Sequence, residues 1–599
     1  MTSRVAARIL FSVLIAAALA APAGSGAGGK DKFPYLEATV AQLQAEMAAG
    51  RLTSEQLTRA YIERIGELDQ PGPKTGLGVN ALIEINPDAL AVARHMDDLR
   101  RKGQVLGPLH GIPVLLKANI DTGDRMQTTA GSLGLQGTPA PRDSTVAANL
   151  RAGGAVILGK TNLSEWANFR SFESISGWSA VGGQTHNPYG IDRNPCGSSS
   201  GSGAAASANF ATVSFGTETD GSVVCPANAS GVVGIKPTVG LTSRAGVVPI
   251  SHTQDTVGPH GRTVADAAVA LGVIQSRTFD GRDPATGGVP LGWQGRFTRP
   301  TNIPTDYTQF LNPHALHGAR LGLVRTTVGF NLPSPLPPGA LPTPAPVVAA
   351  FDEVLAALTA AGATVVDLEA AGFGGFGPGF GSGESLVLDF DFRNDVAAYF
   401  ATRVGVPLAG GTLQSAIDFN NSNADAEMPF FNQDIFLQAQ SLLPGVDDPQ
   451  PVFGGMTYNQ ALAADKAFTI SGIDGALAQF HLDAVIAPTD NPAWSTDLLY
   501  GDHFVYGSSS LGAAGGYPYV QVPAANVYGI PLGITFFGTA FSEPQLIALA
   551  SGFEAVTHER AKNLPKFTPT IPDDHIAGQP LNVGKDKGRK PEGWHPHHM

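Results

Sequence analysis

Residues 211–227 read Ala211-Thr212-Val213-Ser214-Phe215-Gly216-Thr217-Glu218-Thr219-Asp220-Gly221-Ser222-Val223-Val224-Cys225-Pro226-Ala227. The run 211–215 is short and apolar, as a strand buried on both faces should be. A turn containing Gly216 and Gly221 follows and presents Ser222 beside several unpaired N–H groups. A serine on a tight turn with adjacent N–H donors suits a nucleophile beside an oxyanion hole. The pattern is not the Gly-x-Ser-x-Gly elbow of α/β hydrolases. The same texture spans residues 105–260, where apolar runs at 112–116, 155–158, 211–215 and 231–235 alternate with Gly/Ser-rich turns and small-residue helices. That alternation predicts an α/β protein.

Two further segments carry chemistry. His110-Gly111-Ile112-Pro113-Val114-Leu115-Leu116-Lys117-Ala118-Asn119 puts Lys117 at the end of a wholly apolar run. A lysine buried there loses water, its pKa falls, and a neutral amine becomes available as a general base. In isolation the segment fits a strand-end lysine snorkelling to water better. Pro195-Cys196-Gly197-Ser198-Ser199-Ser200-Gly201-Ser202-Gly203 reads by composition as a flexible turn. It leads straight into the small-residue run 204–209, so its N–H groups open a helix. A phosphate loop is excluded, because no lysine follows in the Gly-x-x-x-x-Gly-Lys-Ser/Thr pattern.

Taken together, the three segments resemble the amidase signature family, most closely its peptide-amidase branch, over residues 36–560 and most densely over 107–268. The resemblance implies one large α/β domain with a mixed central β-sheet covered by helices. It implies an amide-bond hydrolase with Ser222 as nucleophile, Ser198 as bridging serine and Lys117 as base, working through an acyl-enzyme. The backbone N–H groups of Thr219, Asp220, Gly221 and Ser222 fall where the family builds its oxyanion hole. Gly197, Ser199, Gln254 and Asp255 match supporting positions, and the peptide link on the Ser199 side of Ser198 is expected to be strained or cis. No metal or cofactor is required. The sequence departs from the family at Cys196-Gly197-Ser198-Ser199-Ser200-Gly201, at Asp220-Gly221-Ser222 and at Ala118, without removing a catalytic side chain. The peptide-amidase branch removes amides from peptide C-termini, so a peptide amide or related small amide is the implied substrate. Aryl acylamides and carbamates are the alternative. More distant readings are a non-catalytic binding module and a glutamyl-tRNA amidotransferase subunit.

Outward from this centre, Thr53 and Gln56 form a capping-box pattern before a stripe of Leu57, Tyr61, Ile65 and Leu68. Strands are expected at 81–85, 365–368, 484–489, 520–527 and 530–536. Helices are expected at 266–273, 347–361 and 544–558, and they dominate 385–480. The glycine/phenylalanine-rich stretch 371–383 reads as a mobile surface loop. Residues 1–23 carry Arg4 and Arg8, an apolar run and an Ala-x-Ala exit, the marks of a cleaved secretory signal. Residues 24–35 read as a linker, 36–565 as the amidase domain and 566–599 as a polar, poorly ordered tail.

The expected location is therefore secreted or periplasmic, with no stable membrane span after signal cleavage. The 599 residues are 43% hydrophobic and 15% charged, which suits a large core. A net charge of −13 without a long basic cluster argues against nucleic acid as a partner. The expected assembly is a monomer or homodimer. The two cysteines, Cys196 and Cys225, flank the two candidate serines. They either pair, as export permits, or stay free as small buried side chains.

Overall fold

In a computed structural model of the chain, which describes residues 33–70, 77–287, 299–377 and 383–570, eleven strands form one mixed sheet. The candidate signal and most of the linker and tail lie outside the described residues. Residues 33–36 form a small turn of their own, and the unit that carries the sheet begins at Glu37.

The strands in chain order are β1 (Leu82–Ile85), β2 (Pro113–Lys117), β3 (Val156–Thr161), a two-stranded ribbon of β4 (Trp178–Ser179) and β5 (Gly183–Gln184), β6 (Val213–Glu218), β7 (Val233–Lys236), β8 (Thr256–Gly261), β9 (Arg320–Leu323), β10 (Thr364–Asp367), β11 (Ala484–Pro488), β12 (Tyr519–Val527) and β13 (Ile530–Phe537). The main sheet runs β1-β3-β2-β6-β8-β7-β12-β13-β11-β9-β10. β2 is parallel to both β3 and β6, whereas β8 is antiparallel to β6 and β7. Every residue of β2, β3, β6, β7 and β8 is buried, so the centre of the sheet is covered on both faces.

The helix Ser54–Leu68 starts on the predicted capping box and buries Leu57, Tyr61 and Ile65. The largest core joins the strands β7, β9 and β11–β13 to helices Val264–Ile274, Ala345–Ala360 and Glu543–Thr557 through Leu271, Phe351, Leu358, Leu546 and Phe553. A second cluster gathers Trp166, Phe392, Phe400 and Phe436, packing helices Glu384–Phe400 and Asp434–Ser441 against the loop after β3. This second cluster lets the helical region reach the end of the sheet where β2 finishes at Lys117.

Three expectations change. β8 and β9 were not expected as strands. The glycine/phenylalanine stretch is anchored where it is described: Phe373 packs edge-on against Phe376 and Phe480, and Phe376 against Phe468. Aromatic area outweighs the flexibility that its glycines suggest. Residues 567–570 hydrogen-bond to the loop 188–193, Phe567 N to Pro188 O at 2.9 Å and Thr570 N to Asp192 Oδ1 at 2.7 Å, so packed chain continues past residue 565.

Candidate active site

The parallel trio β3-β2-β6 sets Lys117 and Thr217 side by side at one end of the sheet. Lys117 is fully buried, and its Nζ donates to Thr217 Oγ1 at 2.9 Å and to Ser198 Oγ at 2.7 Å. Burial pulls the ammonium down to about 7, against the attraction of Asp255 and Glu218. A free amine is therefore accessible to Lys117 near neutral pH.

Ser198 reaches Lys117 because the loop 195–199 is clamped. Ser199 N donates to Ser222 O at 3.1 Å, Ser199 Oγ donates to Thr217 O at 3.0 Å, and Thr217 N donates back to Ser199 Oγ at 3.2 Å. A disulfide joins Cys196 to Cys225, closing the open question of their pairing and tying the Ser198 loop to the helix that follows Ser222. The cis peptide bond lies between Gly197 and Ser198, not on the Ser199 side where it was expected. Ser199 is instead held by its bonds to β6. A Cβ at Gly197 would stand 2.2 Å from Ser164 Oγ and 2.7 Å from Asn168 Oδ1, so a larger residue would have to displace these side chains.

Ser222 sits after β6 on a turn whose Gly221 has φ of +79°, a conformation that favours glycine. Glu218 Oε2 accepts from Val223 N at 2.7 Å and Val224 N at 3.0 Å, which holds the far side of the turn. Among the described residues the N–H groups of Thr219, Asp220, Gly221 and Ser222 meet no acceptor. Asp255, pushed up to about 6 by burial, accepts from Thr219 Oγ1 at 2.5 Å and from the Ile250 and Ser251 amides. It braces the turn from behind. The Ser198 and Ser222 hydroxyls share no hydrogen bond among the described contacts; their segments are joined by the disulfide and by the backbone bond from Ser199 N to Ser222 O.

Ser222 and the turn 219–221 line a cavity of about 490 Å³, within the range of small-molecule sites, whereas Lys117 and Ser198 lie behind it. Gln254 is not among the lining residues; its Nε2 donates to Glu384 Oε1 at 2.8 Å. Glu384 itself is pushed well above the usual carboxylate range by burial and by Asp220 beside it. Asp220 accepts from Ser510 Oγ.

Several neighbours escaped sequence reasoning. His260, on β8, is held down to about 4 by burial and uses Nε2–H on Val223 O at 2.9 Å, so it is neutral and occupied. Lys236 is also buried, pulled down to about 8, and donates to Tyr517 O at 2.6 Å. Glu384 and Asp490 come from elements remote in sequence, where no local motif marks them.

The Amidase family profile matches residues 56–374, which contain β2, β3, β6, β7 and β8 and the three segments above. The chain belongs to the amidase signature family. This amidase is 39% identical over 544 residues to a probable amidase of Arabidopsis thaliana, covering 89% of this chain and 92% of that one. It is 31% identical over 535 residues to a glutamyl-tRNA(Gln) amidotransferase subunit from Salinispora tropica, covering 86% and 97%. The solved peptide amidase of Stenotrophomonas maltophilia superposes with a TM-score of 0.76 at 42% identity, covering 89% and 99%. The amidase is thus an amide-hydrolysing enzyme, and its large mixed sheet flanked by helices is the family's fold.

Proposed function

We propose that this amidase cleaves C-terminal peptide amides or related small amides through a Ser222–Ser198–Lys117 relay. The observation that carries the reading is the buried Lys117 Nζ, 2.7 Å from Ser198 Oγ, behind a cavity that Ser222 faces. Neutral Lys117 takes the proton of Ser198 as Ser198 takes that of Ser222. The Ser222 oxygen attacks the amide carbon, and the N–H groups of 219–222 receive the oxyanion. The relay hands the proton to the leaving nitrogen, the C–N bond breaks, and water then splits the acyl-Ser222 ester to a carboxylic acid. Substrate entry closes the gap between the two serines, since catalytic hydrogen bonds tighten in the Michaelis complex.

Likeness to the Stenotrophomonas enzyme across nearly all of its length supports the peptide-amide substrate class. Ammonia or amine release from C-terminal peptide amides, aliphatic amides, anilides and aryl carbamates, each run against Ser222→Ala, tests it. Ser222-dependent turnover confined to anilides or carbamates would keep the relay and overturn the peptide-amide assignment. Export directed by residues 1–23 is part of the same proposal. The Cys196–Cys225 disulfide supports an oxidising compartment. Full-length protein recovered whole from the cytosol, with both thiols free, would contradict it.

A further inference from the structure

The cavity in front of Ser222 has an unbalanced set of ionisable groups. Asp220, Asp490, Asp502 and Glu173 line it, and no lysine, arginine or histidine is among its described lining residues. The acids are not equivalent. Asp220 has the Ser510 hydroxyl and feels the buried Lys236. Asp502 accepts from Ser176 N at 3.1 Å and Asn194 Nδ2 at 3.2 Å.

Asp490, two residues past β11, has neither. It is 1% exposed, and both of its carboxylate oxygens lack a hydrogen-bond partner among the described residues. Burial and the nearby Glu218 and Asp220 push it well above the usual carboxylate range, with no cation opposing them. Without a donor or a cation, burial disfavours the ionised form of this carboxyl. Where it faces a cavity, a cationic guest removes the penalty. The same 490–510 segment supplies Trp494, Tyr500 and Phe504 to the wall, and aromatic faces attract a guanidinium or ammonium.

We propose that Asp490 is the acceptor of a cation subsite in this cavity, which takes the guanidinium or ammonium group of an amide substrate and rejects substrates carrying a carboxylate. The inference rests on the reading that Ser222 cleaves amides in this cavity, and it adds the substrate's charge. It also favours product release: the new carboxylate meets an acidic wall and leaves.

Kinetics on three acylated amino-acid amides of similar size test it: acetyl-arginine amide, acetyl-norleucine amide and the α-amide of acetyl-glutamic acid. A charge-assisted contact in a dry site predicts a kcat/KM for the arginine compound about tenfold or more above norleucine, with the glutamic compound lowest. Asp490→Asn brings the arginine-to-norleucine ratio close to one. Equal rates for arginine and norleucine in the wild type would overturn the subsite, as would the full ratio persisting in folded Asp490→Asn. Calorimetric binding of the same three compounds to Ser222→Ala gives a readout that needs no turnover. If no amide is cleaved but the binding order stands, amide hydrolysis falls and the subsite survives. A flat binding order removes the subsite alone.

Discussion

Replacing Lys117 by methionine should disable the enzyme and stabilise it at neutral pH. Below about pH 7 the folded and unfolded lysines both carry the proton, so the wild type's handicap is constant. Between about 7 and 10.5 only the unfolded chain binds it, so wild-type stability rises with pH; above 10.5 the handicap is gone. A folded value of about 7 against an ordinary 10.5 handicaps the wild type by about 4 kcal/mol at pH 7 and about 1 kcal/mol at pH 10. Methionine removes this and forfeits the Ser198 and Thr217 hydrogen bonds, about 2 kcal/mol in all. Lys117→Met should thus be about 2 kcal/mol more stable than wild type at pH 7 and about 1 kcal/mol less stable at pH 10. Paired urea unfolding curves at the two pH values measure this. The lost hydrogen bonds do not titrate, so the shift of about 3 kcal/mol between the two pH values is the diagnostic part. A stability gap that is the same at pH 7 and pH 10 would refute a neutral Lys117.

Other outcomes follow from the same geometry. The wild-type kcat/KM should bend at about 7 and fall about tenfold from pH 8 to pH 6 as Lys117 gains its proton; a flat profile over that range would remove Lys117 as the base. Removing the disulfide with Cys196→Ala and Cys225→Ala, which opens a loop with a sequence separation of 29, should lower stability by about 3–4 kcal/mol in denaturant. The same pair should also lower kcat, because the bridge ties the Ser198 loop to the segment after Ser222. Asp255→Ala leaves Thr219 Oγ1 and two amides without an acceptor and should cut kcat about tenfold or more with little change in KM. Unchanged kcat in that variant would show that the turn holds itself.

The fold's centre was legible because its strands are buried on both faces and read as continuous apolar runs. Pro113–Lys117 and Val213–Glu218 fall within two or three residues of their expected places. β8 was not legible: Thr256–Gly261 contains Pro259, His260 and two glycines, and it is a strand only because β6 and β7 flank it. β9 is four residues long, too short to show a period. At the site, the family resemblance assigned the serines and the lysine, whereas the contacts that hold them, such as Lys117 Nζ to Ser198 Oγ, join segments far apart in sequence. Glu384 and Asp490 depend on helices and strands that arrive hundreds of residues later, and an isolated acid carries no local signal. The cysteine pairing was equally closed to sequence, because it depends on the two serine-bearing loops meeting across the sheet's end.

The role of Ser222 as nucleophile is the claim on which the rest depends. Treating the folded enzyme with a serine-reactive phosphonate and locating the adduct by peptide mass spectrometry tests it directly. One stoichiometric adduct is expected on the peptide containing Ser222, lost in Ser222→Ala, with amide turnover falling in step with labelling. No adduct on a turnover-competent enzyme, or an adduct that persists in Ser222→Ala, would contradict it.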